Sequence, residues 1–130
     1  MDNCIFCKIS KGEIPSDKVY EDKNFLAFLD IKPVSDGHLI IIPREHVVWM
    51  QEADDETIGN IFKLTKKLML TLKNRLGCDY VQESVVGNEI PHFHIHLIPR
   101  YYGDNFRNFP TKEYKEEEAK KIKEKIIGGL

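Results

Sequence analysis

Five short apolar runs predict β-strands in this chain. Runs 19–21 and 25–29 are separated by three polar residues, which is the spacing of a hairpin. Run 39–42 is apolar at consecutive positions, so we expect both faces of that strand to be covered. Runs 80–86 and 93–98 follow, separated by a Gly87-Asn88 turn signal, and Pro43 and Pro99 end the third and fifth runs.

Between the third and fourth runs, segment 54–76 has helical periodicity. Thr65 fills one position of a face that is otherwise apolar, at Ile58, Ile61, Phe62, Leu68, Met69, Leu72 and Leu76. Asp54 or Asp55 can cap the start of this helix, and Gly77 can close its end in a left-handed conformation.

A second helix is predicted over 112–125, within a C-terminal tail at 111–130. Charged pairs such as Glu117 and Lys121 indicate a solvated face, although a thin stripe of Ala119, Ile122 and Ile126 could dock on a partner. The whole pattern predicts an α+β domain with an antiparallel sheet of about five strands, one long central helix and a C-terminal helix.

Composition limits the class of protein. The 130 residues suit a single domain, 1–130, and 42% hydrophobic with 31% charged residues indicates a folded globule. The net charge of -2 removes the broad basic field used for nucleic-acid binding. No run approaches the roughly 20 apolar residues of a membrane span, and no signal-peptide pattern begins the chain. We therefore expect a cytoplasmic protein that binds neither nucleic acid nor membrane.

Three of the five histidines alternate with apolar residues over 92–97. On a strand this places the apolar side chains in the core and the rings of His92, His94 and His96 on the other face, about 7 Å apart. Three surface histidines are unexpected at this regular spacing by chance alone. Spacing alone leaves two functions open: a zinc site that activates water, or metal-free catalysis with an imidazole nucleophile.

Cys4 and Cys7 form a Cys-x-x-Cys pair near the N-terminus. Three cysteines in total do not describe a disulfide framework, so a metal site, a redox dithiol or a plain surface pair are the alternatives. A closed zinc site needs four ligands, so two more would come from elsewhere. Cys78 is predicted to be a small packed hydrophobe.

Residues 87–100 resemble the signature of the histidine triad (HIT) family of nucleotide hydrolases and transferases. Segments 4–9, 28–31 and 37–46 look like the family's matching segments, in order, and resemble the Hint-like branch with an N-terminal Cys-x-x-Cys. The resemblance covers roughly 4–107. It implies a HIT-like fold, a homodimer built across a two-fold axis, and a purine nucleotide as substrate.

The resemblance also implies a role for each histidine. His94 would attack the α-phosphorus and form a covalent nucleotidyl-histidine that water cleaves. His96 would contact phosphate oxygens and assist the departing group, His92 would orient the nucleophile, and His38 would complete the cluster. The implied activity is that of a nucleoside phosphoramidase or a dinucleoside polyphosphate hydrolase. The alternatives are a metal-dependent hydrolase with zinc on the histidine cluster, and a non-catalytic nucleotide-binding module.

By the same resemblance, Asp30 would accept hydrogen bonds from both ribose hydroxyls. The base would be enclosed by four apolar side chains, Phe6, Ile9, Phe28 and Ile31. The turn at 87–90, including Asn88, Glu89 and Ile90, would donate backbone N–H groups to phosphate.

Two departures from the family pattern affect the phosphate site. Asn88 stands where most members have Gln, and 82–86 replaces an Asn-rich turn. Gln82 could supply the missing amide, whereas Glu83 would oppose phosphate if it faced inward. Arg100 and Arg107 are candidate contacts to the leaving group.

Some family branches with this cysteine pair complete a zinc site with two histidines, which correspond to His46 and His92 here. The resemblance therefore implies one structural Zn²⁺ per chain on Cys4, Cys7, His46 and His92, which would fix one triad histidine in place.

Overall fold

The computed structural model describes residues 3–105 and 109–130. Within them, a five-stranded antiparallel sheet has the order β1-β2-β3-β5-β4. The strands are β1 (Lys18–Glu21), β2 (Phe25–Leu29), β3 (Leu39–Pro43), β4 (Tyr80–Ser84) and β5 (Ile95–Arg100). The α-helices are α1 (Ile5–Ser10), α2 (Asp55–Leu76) and α3 (Glu118–Gly128), and a 3₁₀ turn covers Met50–Glu52. The predicted α+β class with one long central helix is confirmed.

Helix α2 begins and ends at the predicted signals. The Asp54 carboxylate accepts the Thr57 N–H at 2.7 Å, and Gly77 has a φ of 69°. Thr65 lies in the buried face, where its hydroxyl donates to the Ile61 carbonyl at 2.8 Å and is thereby satisfied.

The sheet separates two apolar clusters. Leu39 and Ile41 of β3 pack in the cluster that contains α2, and Ile40 and Ile42 pack in the cluster that contains α1. All of β3 is buried, as its consecutive apolar run predicts. The α1 side of the sheet carries the candidate site.

Several element ends, and one helix, differ from the sequence predictions. Strand β4 ends at Ser84 rather than at position 86, and β3 and β5 include the prolines that are predicted to end them. Strand β5 begins at Ile95 because the preceding backbone bonds elsewhere: the His92 N–H donates to the Ile90 carbonyl at 2.8 Å, and the Phe93 N–H donates to the Val47 carbonyl at 2.7 Å. Helix α1 is not predicted, since its six residues are too short to establish a period. Helix α3 begins later than position 112.

The described residues contain no helix long and apolar enough to cross a membrane.

Candidate active site and metal cluster

The alternation at 92–97 sorts the side chains as the sequence predicts. Phe93, Ile95 and Leu97 are buried in the cluster that contains α2, while the edge of Phe6 from α1 meets the rings of His92 and His94. The rings of His94 and His96 have centroids 4.9 Å apart. This is closer than the strand rise predicts, because the rings meet edge to face and His94 precedes the regular strand.

A cysteine–histidine cluster, Cys4, Cys7, His46 and His92, lies at the N-terminus of α1. All four ligand atoms are within 4.8 Å of one another. The Cys4 Sγ is 3.3 Å from His92 Nδ1, and the Cys7 Sγ is 3.2 Å from His46 Nδ1 and 3.5 Å from His92 Nδ1. Tetrahedral zinc with ordinary bond lengths separates sulfur and nitrogen ligands by about 3.6 Å. The donor set and its spacing therefore fit Zn²⁺.

The protonation of His92 also fits a metal ligand. Its Nε2–H donates to the Pro43 carbonyl at 2.8 Å, so the lone pair of neutral His92 lies on Nδ1, the nitrogen beside both sulfurs. Burial, followed by the neighbouring Cys4 thiol, raises the pKa of Cys7 to about 11. A bound cation would offset the free-energy cost of deprotonating the thiols, because it would pair with the thiolates. Both cysteines are free thiols.

In His94 the hydrogen is on the other ring nitrogen from that in His92. Its Nδ1 lies 2.7 Å from the His92 carbonyl oxygen, so Nδ1 carries the hydrogen and donates it. The lone pair of neutral His94 is consequently on Nε2, and His94 lines a cavity of about 340 Å³. One carbonyl thus joins the cysteine–histidine cluster to the ring that the sequence predicts as nucleophile.

His38 and His96 form a directed pair. The Val34 N–H donates to His38 Nδ1 at 3.0 Å, so the His38 hydrogen is on Nε2, which donates to His96 Nδ1 at 2.9 Å. Neutral His96 therefore carries its hydrogen on Nε2. Burial lowers the pKa of both rings, and for His96 the neighbouring His94 and His38 lower it further, against a smaller opposing effect of Asp30. Both rings are neutral at pH 7.

The same pair belongs to a second group of possible metal ligands, Asp30, His38 and His96, whose ligand atoms lie within 4.8 Å of one another. The Asp30 Oδ2 is 3.6 Å from His38 Nε2. Metal binding at His38 Nε2 would move the hydrogen to Nδ1, where it would face the Val34 N–H. The hydrogen bonds therefore favour a neutral imidazole pair over a metal site here.

The cavity brings together most of the predicted nucleotide-binding residues. Asp30 and Glu89 supply its carboxylates, and the Asp30 Oδ1 is fixed by the Lys32 N–H at 2.8 Å. The predicted apolar contacts also line it: Phe6, Ile9, Phe28, Ile31 and Ile90. Its volume lies at the lower end of the roughly 300–1,000 Å³ of small-molecule pockets.

Other residues of the cavity wall are missed by the sequence analysis, among them Ile5, Ile14, Pro15, Ser16, Leu29 and Ile40. The sequence around Pro15 predicts only a turn. An isoleucine directly before that proline is the available signal, because an apolar residue in a turn needs a surface to pack against.

Two predicted phosphate contacts lie outside the cavity. Asn88 is exposed and does not line it. The Gln82 amide is engaged on the sheet, donating to Ser84 Oγ at 3.2 Å and accepting from Arg100 Nη1 at 3.1 Å. Glu83 is in register with Leu97, so alternation directs it away from the face that carries His96.

Of the two arginines predicted to contact the leaving group, Arg100 is paired with a carboxylate. It is buried, and its guanidinium binds both oxygens of Asp104, at 2.7 and 2.8 Å. Arg107 lies outside the described residues.

Comparisons with known proteins agree with this geometry. The HIT domain family model matches residues 11–103. The uncharacterized HIT-like protein of Methanocaldococcus jannaschii is 46% identical over 106 residues, covering 78% of this chain and 81% of that protein. A Schizosaccharomyces pombe protein named adenosine 5′-monophosphoramidase is 37% identical over 129 residues, covering 95% and 96%.

Solved structures of HIT family proteins have a similar fold. A crystal structure of a HIT family protein from Bacillus subtilis aligns with a TM-score of 0.87 at 36% identity, covering 98% of this chain and 97% of that one. A Zn-bound histidine triad family protein from Mycobacterium smegmatis aligns with a TM-score of 0.75 at 27% identity, covering 99% of both chains. With its fold, its histidine strand and a family match across most of its length, this chain belongs to the HIT domain family.

Proposed function

We propose that this protein hydrolyses nucleoside 5′-phosphoramidates through a covalent nucleotidyl intermediate on His94. One observation carries the proposal: the Nδ1–H of His94 donates to the His92 carbonyl, which leaves the lone pair on Nε2 of a ring that lines the cavity. The neutral form of an imidazole held in this way is a nucleophile. The name of the Schizosaccharomyces pombe relative supports an adenosine phosphoramidate as substrate.

Each step balances in atoms and charge. His94 Nε2 bonds to phosphorus as the phosphorus–nitrogen bond breaks, and the departing nitrogen keeps the bonding pair and takes one proton from solvent. Water then attacks phosphorus, His94 leaves as a neutral imidazole, and one proton of the attacking water is released to solvent. The Nε2–H of His96 donates a hydrogen bond to the reacting group, and its hydrogen is held there by His38.

The cavity walls suit the nucleoside half of the substrate. Phe6 and Phe28 meet edge to face with centroids 5.6 Å apart and provide an aromatic wall for a base. Asp30 supplies acceptor oxygens for ribose hydroxyls. Backbone N–H groups of 87–90, together with Asn88 and Gln82, stay predicted phosphate contacts.

We also propose that Cys4, Cys7, His46 and His92 hold one structural Zn²⁺. Bound there, zinc would cross-link α1 to the segments that carry His46 and His92, and it would take no part in the chemistry at phosphorus. The ligand spacing supports this assignment, and so does the similarity to the Zn-bound protein from Mycobacterium smegmatis. The homodimer and the cytoplasmic location stay predictions from the sequence.

The alternative of a hydrolytic metal on the triad is less well supported. His92 Nε2 is committed to Pro43, His94 Nδ1 to the His92 carbonyl, and His38 Nδ1 to Val34. Each of these bonds fixes a tautomer, and among the described residues the groups whose ligand atoms converge as for a metal ion include His92 but not His94.

Trapping the intermediate tests the catalytic proposal. The protein is mixed with adenosine 5′-phosphoramidate, quenched in base within one turnover and examined by peptide mass spectrometry. We expect one adenylyl group on the peptide containing His94, and none in His94→Ala. Release of AMP without an adduct, or an adduct elsewhere, would overturn the covalent role of His94. Nucleotide binding with no AMP release would instead support a non-catalytic binding module.

A further inference from the structure

One hydroxyl on the wall of the cavity has no partner within the fold. Among the buried side-chain nitrogens and oxygens of the described residues, only the Ser16 Oγ makes no hydrogen bond. Ser16 lines the cavity that also contains Asp30 and His94. A hydroxyl offers one donor and two acceptor sites, and burying it unpaired costs free energy. Because this hydroxyl borders a ligand cavity, a bound molecule can supply the partner that the protein does not.

Backbone contacts fix the position of Ser16. Pro15 restricts the chain before it, and after it the Asp17 carbonyl accepts the Leu29 N–H at 3.0 Å. Since β1 and β2 are antiparallel, Ser16 lies beside the end of β2, which leads into Asp30. Ser16, Leu29 and Asp30 all line the cavity. The sheet therefore holds the hydroxyl close to the residue that is proposed to bind ribose.

The wall around Ser16 suits a base better than a second sugar or phosphate group. Ile14 packs against the apolar cluster that contains Phe6 and Phe28, and all three side chains line the cavity together with Ser16. A base has two apolar faces and a polar edge. Apolar walls can cover its faces, while a neutral hydroxyl can pair with one atom of its edge. Asp30, an ionisable group of the same wall, is already assigned to ribose.

We propose that the Ser16 hydroxyl hydrogen-bonds to an edge atom of the adenine base, which makes Ser16 a residue that determines base specificity. The proposal rests on the proposed function, in which ribose on Asp30 directs the base to the adjoining wall. The hydroxyl both donates and accepts, so it can pair with the exocyclic amine or with a ring nitrogen. In the free protein a water can occupy the same position, and the base takes over the hydrogen bond of that water.

The test measures dissociation constants of AMP and of four analogues, each of which lacks one polar group of the base edge. They are the 5′-monophosphates of 1-deazaadenosine, 3-deazaadenosine, 7-deazaadenosine and purine riboside. We expect one analogue to bind the intact protein about tenfold more weakly than AMP, because it leaves the buried hydroxyl unpaired. The same analogue should bind Ser16→Ala as well as AMP does.

Two results would overturn the assignment of Ser16 to the base. In the first, no analogue shows a loss of affinity that disappears in Ser16→Ala. In the second, the loss that depends on Ser16 is found for the 5′-monophosphate of 2′-deoxyadenosine or 3′-deoxyadenosine, so that the hydroxyl contacts ribose.

Ser35→Ala is the matched control. Ser35 is also partly buried, but its hydroxyl donates to the Pro99 carbonyl at 2.6 Å and it does not line the cavity. Its affinity ratios among the nucleotides should equal those of the intact protein, and its urea midpoint should fall because the Pro99 carbonyl loses a donor. Ser16→Ala should keep the midpoint of the intact protein. A fall as large as that of Ser35→Ala would show that the Ser16 hydroxyl serves the fold, and would overturn the proposal.

A failure of the proposed function looks different. The nucleotides would then bind with the expected dependence on Ser16, while adenosine 5′-phosphoramidate would release no AMP. Absence of AMP binding to the intact protein would overturn both proposals.

Discussion

His92 and His94 are the same residue type two positions apart, yet the structure prepares them for opposite tasks. In His92 the Pro43 carbonyl takes the Nε2 hydrogen and leaves Nδ1 for the cysteine–histidine cluster. In His94 the His92 carbonyl takes the Nδ1 hydrogen and leaves Nε2 for the cavity. On the proposed function, the backbone acceptor at one ring nitrogen separates a metal ligand, His92, from a nucleophile, His94.

The two regions also depend on each other unequally. His92 is fully buried, and its carbonyl orients His94. The contacts between the sulfurs and ring nitrogens of the cysteine–histidine cluster do not involve the His94 side chain. Substitutions in the cavity should therefore leave the cysteine–histidine cluster intact, whereas substitutions in the cysteine–histidine cluster should also alter the cavity.

The sharpest test of this asymmetry is His94→Ala. We expect AMP release from adenosine 5′-phosphoramidate to fall by about 10³-fold or more, because the nucleophile is lost. Zinc content by elemental analysis and the thermal midpoint should match those of the intact protein. Activity within tenfold of the intact protein, or loss of zinc, would contradict the division of labour between the two regions.

Cys7→Ser should have the converse effect. Zinc content should fall, and the free energy of unfolding should drop by roughly 3 to 5 kcal/mol, part of the about 10 to 16 kcal/mol that structural zinc supplies in small zinc-binding peptides. Activity should decline with the folded fraction. The measurements are metal analysis and urea unfolding.

Cys78→Ser provides the matched control, since Cys78 is also a buried free thiol but lies outside the cluster. Burying its new hydroxyl should cost about 1 to 2 kcal/mol without loss of zinc. Equal zinc content in the two variants would show that Cys7 is not a metal ligand.

The sequence predicted the faces of the histidine strand better than the chemistry of its rings. Alternation at 92–97 was enough to place Phe93 and Ile95 in the core, and Asp54 was enough to start α2. Tautomers were not predictable, because they depend on which backbone groups from other segments approach each ring. The relevant carbonyl of Pro43 lies 49 positions from His92.

The Gln82 prediction illustrates the same limit at the phosphate site. Its position on β4 was predicted, and the register with Ile98 places it on the sheet face that carries His96. Its amide is nevertheless engaged by Arg100, a contact that only the folded sheet creates.

His38 offers a finer test, because Asn and Gln replace different nitrogens of imidazole. In His38→Asn the amide can still accept from Val34 but does not reach His96, whereas in His38→Gln the longer amide can donate to His96. We expect kcat to fall about tenfold in His38→Asn and less in His38→Gln. Equal losses of kcat in the two variants would contradict a catalytic role for the hydrogen bond from His38 to His96.

The smallest expected effect is a pH dependence of stability that arises from the His38–His96 pair. Burial lowers the pKa of His38 and His96 below the ordinary value of 6.5. Below that pH the unfolded chain therefore binds more protons than the folded chain does. The free energy of unfolding consequently decreases as the pH falls. Urea unfolding between pH 7 and 5, with zinc content followed in parallel, measures this decrease.

Zinc release at acid pH would produce a slope of the same sign, so the variant comparison separates the two causes. Burial also lowers the pKa of His92, so His38→Asn removes one of three such rings while leaving Cys4, Cys7, His46 and His92 in place. Its unfolding free energy should decrease less steeply over the pH interval in which both proteins retain zinc. Identical slopes would show that His38 has no part in acid destabilisation.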